Sequence, residues 1–271
     1  MIRTAWVSLV LFIMAQLGLM ACQQQTPPTQ VLNQAIQALA PWDFQGSIVG
    51  GELVAPTEPF VKSLVGIINM EKGSLCTGTL LNRSHVLTAA HCLPHQVTSL
   101  RIFTGLSRKD KTSVLEAVSF VATPQWQTRH SELADRGDLA IIKVTGDLPK
   151  EYVSMVFANP SQMKTGDRFL IAGYGRSDGL KKVGAGTLRK TSVLVAEAHH
   201  GETEIIFDQR QGQGACHGDS GGPAFMNKED GIYQWGVTSR EYQDTDKNCN
   251  QYSIYTKIEP YWDWIQENLQ D

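Results

Sequence analysis

An all-β body closed by a single helix is what the sequence predicts for residues 48–271, and three observations predict it. After Ile48 the chain breaks into short runs rich in β-branched and aromatic residues: VKSLVGIIN at 61–69, LAIIKVT at 139–145, RFLIAGY at 168–174 and YQWGVTS at 233–239. Gly, Asn, Asp and Pro punctuate these runs, the pattern of a β-sandwich or barrel, and the length suits two small barrels packed together. The tail differs, because Pro260 precedes YWDWIQENL, in which Tyr261, Ile265 and Leu269 recur every four residues as on one helix face.

The chain does not begin in that style. Arg3 is followed by an uncharged apolar run at residues 5–20, short for a membrane span of about 20 residues but laid out like a secretory signal. The run ends Leu19-Met20-Ala21-Cys22 and resembles the lipobox of bacterial lipoproteins. That resemblance implies removal of residues 1–21 and acylation of Cys22, with a plain signal peptide cut nearby as the alternative. The product is an exported protein, anchored in a bacterial cell envelope or secreted after a further cut. Residues 22–47 read as a tether or pro-segment: after Cys22 they are Gln-rich, hold three prolines and carry Asp43 as their only ionisable side chain, with a short helix expected around 31–39. Of five cysteines, lipidation of Cys22 leaves four, Cys76, Cys92, Cys216 and Cys249, in a compartment where disulfides persist. Spacing alone leaves their three pairings open.

Composition narrows the partners. A formal charge of −3 with no basic stripe disfavours a nucleic-acid binder. A charged fraction of 19% and a hydrophobic fraction of 42% describe an ordinary globular protein.

The chemistry is concentrated in three motifs. GACHGDSGGP, residues 214–223, sets Ser220 among glycines, where a tight turn can expose the hydroxyl beside free backbone N–H groups. The run also satisfies the G-x-S-x-G elbow of α/β-hydrolases, but that reading needs a histidine after the serine. The seven histidines are His85, His91, His95, His130, His199, His200 and His217, all upstream of Ser220, so the elbow fails. VLTAAHC, residues 86–92, ends an apolar strand in His91, and GDLAIIKV, residues 137–144, puts Asp138 at the mouth of another. The order His91, Asp138, Ser220 is that of a chymotrypsin-type triad.

From IVGG at 48–51 through TAAHC, GDLAIIKV, AGYGRS, GDSGGP and GVTS to YTKI and the final helix, the chain resembles the chymotrypsin-type, or trypsin-like, serine proteases across essentially all of residues 48–271. The resemblance implies two packed six-stranded antiparallel β-barrels with a C-terminal α-helix, a monomeric endopeptidase acting on polypeptides, and no cofactor. It makes Ser220 the nucleophile, His91 the general base, Asp138 its orienting carboxylate, and the N–H groups of Gly218 and Ser220 the oxyanion hole. It pairs Cys76 with Cys92 and Cys216 with Cys249. It also explains the run QGSIVGG at 45–51: cutting between Ser47 and Ile48 creates an α-ammonium that turns inward to Asp219, so the protein is made as a zymogen. No Lys or Arg lies between Arg3 and Lys62, so an activator selective for basic residues has nothing to recognise there.

Specificity departs from the pattern. The aspartate that anchors Lys or Arg in such enzymes, six residues before the serine, is replaced by Gly214, followed by Ala215. GVTS continues into Arg240-Glu241 where Trp-Gly is usual, and Ser253 stands where glycine is common in the pocket wall. Glu241 restores acidity to the pocket, narrows it, or faces solvent with Arg240 on a lengthened loop. Small or uncharged residues before the cut are expected. His91 with His95, and His199 with His200, lack a cysteine or carboxylate set at ligand spacing, and TGLSRKDKTS at 104–113 is not an acidic calcium loop, so no metal is expected. The competing function is a protease-shaped binding protein without activity.

Overall fold

The computed structural model describes residues 48–128, 134–158 and 163–270. The expected leader at 1–21, the Cys22 lipidation site, the tether at 22–47 with its helix, and His130 lie outside the described residues.

Strand β1 (Glu52–Leu53) is a short leading piece. Strands β2 (Leu64–Asn69), β3 (Ser74–Leu80), β4 (His85–Thr88), β5 (Leu100–Thr104), β6 (Ser113–Ala122) and β7 (Ala140–Thr145) close into an antiparallel barrel in the order β2-β3-β4-β7-β6-β5. Strands β8 (Arg168–Gly173), β9 (Arg189–His200), β10 (Glu204–Asp208), β11 (Pro223–Lys228), β12 (Gly231–Tyr242) and β13 (Tyr252–Lys257) build the second barrel, ordered β9-β10-β13-β12-β11-β8 and closed where β8 pairs with β9. Strand β1 adds to the outer side of β9 through Glu52↔Lys190. Helix α1 (Pro124–Thr128) is a single turn and a half between β6 and β7, and α2 (Trp262–Glu267) ends the chain after a 3-10 turn at Glu259–Tyr261.

Two six-stranded barrels with a C-terminal helix are therefore what the chain forms, and each of the four apolar runs contributes a strand. One boundary differs: Val61–Ser63 is a 3-10 turn, not strand. Phe60 and Val61 are buried there, so the apolar character of the run serves a corner that packs inward.

Burial organises three cores. Ile67, Leu87, Ile102 and Ile141 fill the first barrel, and Tyr261 and Ile265 of the tail join the same cluster. The helical stripe seen in the sequence thus closes the first barrel, not the second. Phe169, Val195, Phe207 and Trp235 fill the second, with Ile48 packed among them. The third cluster joins the two. Phe103 of β5 meets Tyr174, just after β8, edge to face at 5.0 Å, and Tyr174 Oη donates to Gly105 O at 2.7 Å. Phe60 lies 4.9 Å from Phe225 of β11. Aromatic pairs add about 0.5–1.5 kcal/mol each beyond their buried area, so this seam fixes the orientation of one barrel on the other.

Candidate active site

His91 sits on a 3-10 turn, Ala90–Cys92, immediately after β4. The turn is held from several sides: Asn69 Nδ2 donates to Cys92 O at 3.0 Å, Lys72 Nζ donates to His91 O and Leu93 O, and Cys92 is disulfide-bonded to Cys76 of β3. Asp138 lies two residues before β7 and is 2% exposed. Its Oδ1 accepts the His91 backbone N–H at 3.0 Å, and its Oδ2 lies 2.8 Å from His91 Nδ1. Ser239 Oγ completes the set, donating to Oδ2 at 2.6 Å. Burial alone would raise the Asp138 carboxyl, but the His91 charge and the hydrogen bonds from His91 and Ser239 outweigh it and hold the group below the ordinary range. With an ionised carboxylate as its acceptor, Nδ1 carries the ring proton, which leaves Nε2 as a base.

Ser239 reaches that carboxylate through a bulge. Thr238 pairs with Tyr255 and Arg240 with Ile254, so two steps along β12 match one along β13 and Ser239 is the extra residue. A bulge of this kind re-aims a side chain, here toward a residue of the other barrel.

Ser220 rides on a turn that both barrels grip. Thr77 of β3 donates its N–H to Ser220 O at 2.8 Å and its hydroxyl to Gly218 O at 3.0 Å, while Gly221 N–H donates to Thr238 O at 2.8 Å. Gly218 and Gly221 have φ of 104° and 81°, a region side chains avoid. A Cβ at Gly221 would also stand 2.1 Å from Thr88 Oγ1. Among the described residues, neither the Gly218 nor the Ser220 N–H has a protein acceptor. His91 and Ser220 line the same two clefts, of about 600 Å³ and 280 Å³. A ring nitrogen and a hydroxyl lining the same clefts, with two N–H groups that lack protein acceptors, are the parts that acyl transfer needs.

Behind this turn, Ile48 is fully buried, with Gly214 N–H donating to Val49 O at 3.0 Å. Asp219 is 1% exposed and accepts from Gly175 N–H at 2.7 Å and Cys216 N–H at 2.9 Å. Those two bonds do not offset burial, which pushes its carboxyl up to about 7. Among the described residues no cationic side chain forms an ion pair with it.

The smaller cleft is walled by Ala215, Ser239, Glu241 and Ser253, with Glu241 and Ser253 opposite each other across β12 and β13. Cys216 is bonded to Cys249 at its rim. Neither charged residue after GVTS points into open solvent. Glu241 is turned into the cleft, with Oε1 3.5 Å from His217 Nε2, and burial together with Asp244 pushes its carboxyl up to about 7. Arg240 makes a two-pronged ion pair with Glu204, Nη1 to Oε1 at 2.8 Å and Nη2 to Oε2 at 2.7 Å, and Nη1 also lies 3.3 Å from Ser239 Oγ. Glu204 is fully buried.

Behind Ala215, which lines that cleft, lies a residue the sequence does not mark. Gln209 is fully buried behind Gly214, where a Cβ on the glycine would meet its Cδ at 2.1 Å. Its amide is used up by Ala215 O, Cys249 O and the Ala215 N–H, at 3.1, 3.0 and 2.7 Å. Both its N–H donors and one lone pair of its oxygen are thus committed within the protein, and it carries no charge to attract a cationic side chain. No local pattern marks Gln209, which follows β10 in an unremarkable polar run. The sulfurs in the two groups near metal-ligand spacing, Cys76-His91-Cys92 and Cys216-Glu241-Cys249, are all in disulfides and offer no thiolate.

Comparison with known proteins identifies the family. The sequence profile of the family described as Trypsin matches residues 48–265. Mast cell protease 2 of Ovis aries is 27% identical over 244 residues, covering 83% of this chain and 92% of the relative. Chymotrypsin-C of Mus musculus is 29% identical over 253 residues, covering 85% and 91%. Granzyme M of Rattus norvegicus is 26% identical over 249 residues, covering 83% and 90%.

Proposed function

We propose, from the premise that this chain belongs to the trypsin family of serine proteases, that it is an endopeptidase whose chemistry runs through Ser220, His91 and Asp138. Ser220 Oγ attacks the scissile carbonyl carbon as His91 Nε2 takes its proton. The Gly218 and Ser220 N–H groups hold the resulting oxyanion. Collapse breaks the C–N bond, and the proton on Nε2 leaves with the amine. A water then repeats the sequence on the acyl-serine, releasing the acid and restoring the hydroxyl. The observation that carries this reading is the Asp138 carboxylate, which accepts from His91 N–H and Ser239 Oγ and lies 2.8 Å from His91 Nδ1. That arrangement fixes one ring tautomer and stabilises the imidazolium formed during attack.

The protein is made as a zymogen in this reading. Cutting between Ser47 and Ile48 supplies the cation that a buried Asp219 lacks, and the turn carrying Gly218 and Ser220 then holds its shape. The residue before the cut is small and uncharged, in keeping with Ala215 and Ser253 in the cleft lining and an uncharged Gln209 behind Ala215; Ser47 fits that preference. The apolar run at 5–20 and the Cys22 motif support export with a lipid anchor, and the cut before Ile48 would release the protease domain from it. Among the described residues no helix is long and apolar enough to cross a membrane.

A fluorophosphonate probe tests the proposal. Labelling of Ser220 in the full-length chain cut before Ile48, weak labelling in the uncut chain, and none in Ser220→Ala are expected. Absence of labelling in every form would make this a protease-shaped binding protein.

A further inference from the structure

The two clefts that meet at Ser220 differ in charge. If the smaller one takes the side chain before the cut bond, as proposed above, the polypeptide leaving Ser220 on the other side must run through the larger cleft. That cleft, about 600 Å³, is lined by His91, Gly218 and Ser220 together with Arg108 and Arg176, with no Asp or Glu in its lining.

Both arginines are positioned by backbone contacts. Arg176, three residues after β8 and half-buried, donates its N–H to His217 O at 2.9 Å, which ties it to the loop bearing Gly218. Arg108 is exposed and donates its N–H to Gly186 O, and its side chain passes over that glycine, whose Cβ would lie 3.3 Å from Arg108 Cβ. Among the described residues neither guanidinium has a hydrogen-bonded or ion-paired carboxylate. The nearby acids are committed elsewhere: Asp178 to Lys181, Asp110 to Ser107, and Glu241 to the neighbourhood of His217. Arg176 feels the Glu241 carboxyl only at a distance, and two guanidiniums with no carboxylate in direct contact can take an anion, since Arg matches a carboxylate in a two-pronged geometry.

We propose that Arg108 and Arg176 form a subsite for carboxylate side chains within the first three residues after the scissile bond, so that the substrates of this enzyme are acidic on their leaving side. The inference rests on the endopeptidase reading and adds the substrate class. It has a consequence for activation, because the chain's own junction reads Ile48-Val49-Gly50-Gly51 and reaches its first carboxylate only at Glu52. The subsite therefore favours other substrates over self-processing.

The test compares quenched fluorescent peptides that are identical before the cut and carry Gly or Asp at the three positions after it, using the full-length chain cut before Ile48. Two partly exposed charge pairs correspond to a ratio of kcat/KM, Asp over Gly, of about 3 to 20 at low salt. The ratio should shrink in 0.5 M salt, with a screening length near 4 Å, and fall below one in R108E/R176E. Each variant is judged by the ratio of two substrates in one preparation, so lost folded protein cancels. Equal hydrolysis of both peptides, or a preference that survives R108E/R176E, overturns the subsite while leaving the endopeptidase intact. No hydrolysis of either peptide together with no probe labelling overturns both.

Discussion

Cutting the chain before Ile48 should stabilise it by an amount that grows with pH, and Asp219 sets the size of the effect. Its carboxyl is 1% exposed and is held at about 7 against an ordinary 3.8. An acid whose folded value is raised costs nothing where both states keep the proton, below about pH 4. As pH rises the unfolded chain loses its proton first, so the uncut chain loses stability from about pH 4 to pH 7, and the loss then levels off. Three units of difference correspond to about 4 kcal/mol. In the proposed activation the cut chain would begin with an ammonium on buried Ile48, with an ordinary pKa near 8, and its ion pair with Asp219 would recover that loss. In a domain of roughly 200 residues each kcal/mol moves Tm by about 2–4 °C, so the gap between cut and uncut forms should be about 8–16 °C at pH 7.5 and a few degrees at pH 4.5. Scanning calorimetry of full-length S47R/S220A, before and after limited tryptic cutting at residue 47, measures it without self-digestion. Asp219→Asn should remove the pH dependence. A gap of equal size at both pH values, or one that persists in Asp219→Asn, would refute the reasoning.

Three further outcomes are expected. Glu204→Leu removes the two-pronged ion pair from an Arg240 side chain only 18% exposed and should cost about 3 kcal/mol in urea unfolding, whereas E204L/R240M, which removes both charges, should cost less than that single variant. Gly214→Asp should fail to create cleavage after Lys or Arg, because its Cβ would stand 2.1 Å from Gln209 Cδ; adding Gln209→Ala opens that space, and chromogenic Lys and Arg substrates should respond only in the double variant. Asp138→Asn should lower kcat by roughly 10³–10⁴ by losing the acceptor that fixes the His91 tautomer. Since the Asp138 carboxyl is depressed in the folded state, its contribution to stability is present above about pH 4 and lost as pH falls below that, which urea unfolding of parent and Asp138→Asn between pH 7 and pH 3 would register.

What the sequence made legible is what is local. Ser220 needs glycines two residues before and one after it because the turn visits positive φ at both, and that requirement is written within five letters. His91 and Asp138 stand at the ends of apolar strands, so their motifs carry strand and site together. The terminal helix was legible from its period, but not its seat, because a stripe of Tyr261 and Ile265 fits any apolar hollow and the structure gives it the first barrel. Ser239 lay inside a recognised run, yet its bond to Asp138 depends on a bulge defined by pairing with β13. Gln209 was invisible for the same kind of reason: its amide meets partners brought together only when the loop before Ser220 folds over the end of β10.

The Arg240–Glu204 pair shows most clearly why the pocket resisted reading while the triad did not. Arg240 sits opposite Ile254 and Glu204 opposite Thr256, on the two strands that flank β13. Neighbouring strands are about 4.8 Å apart, so the two backbones are separated by nearly 10 Å, a span that only a long cation and a carboxylate reaching toward each other can bridge with good geometry. Glu204 is fully buried and, besides the guanidinium, accepts the Arg136 N–H at 3.3 Å, so losing the cation would leave its charge poorly compensated. The two-pronged pairing of these residues exists only after three strands are in register. Its guanidinium also lies 3.3 Å from Ser239 Oγ, which donates to Asp138, so the wall of the specificity cleft and the carboxylate that orients His91 are built from one hydrogen-bonded chain. A substitution chosen to reshape the pocket at Arg240 should accordingly disturb the triad as well, whereas one at Ser253, across the cleft on β13, should not.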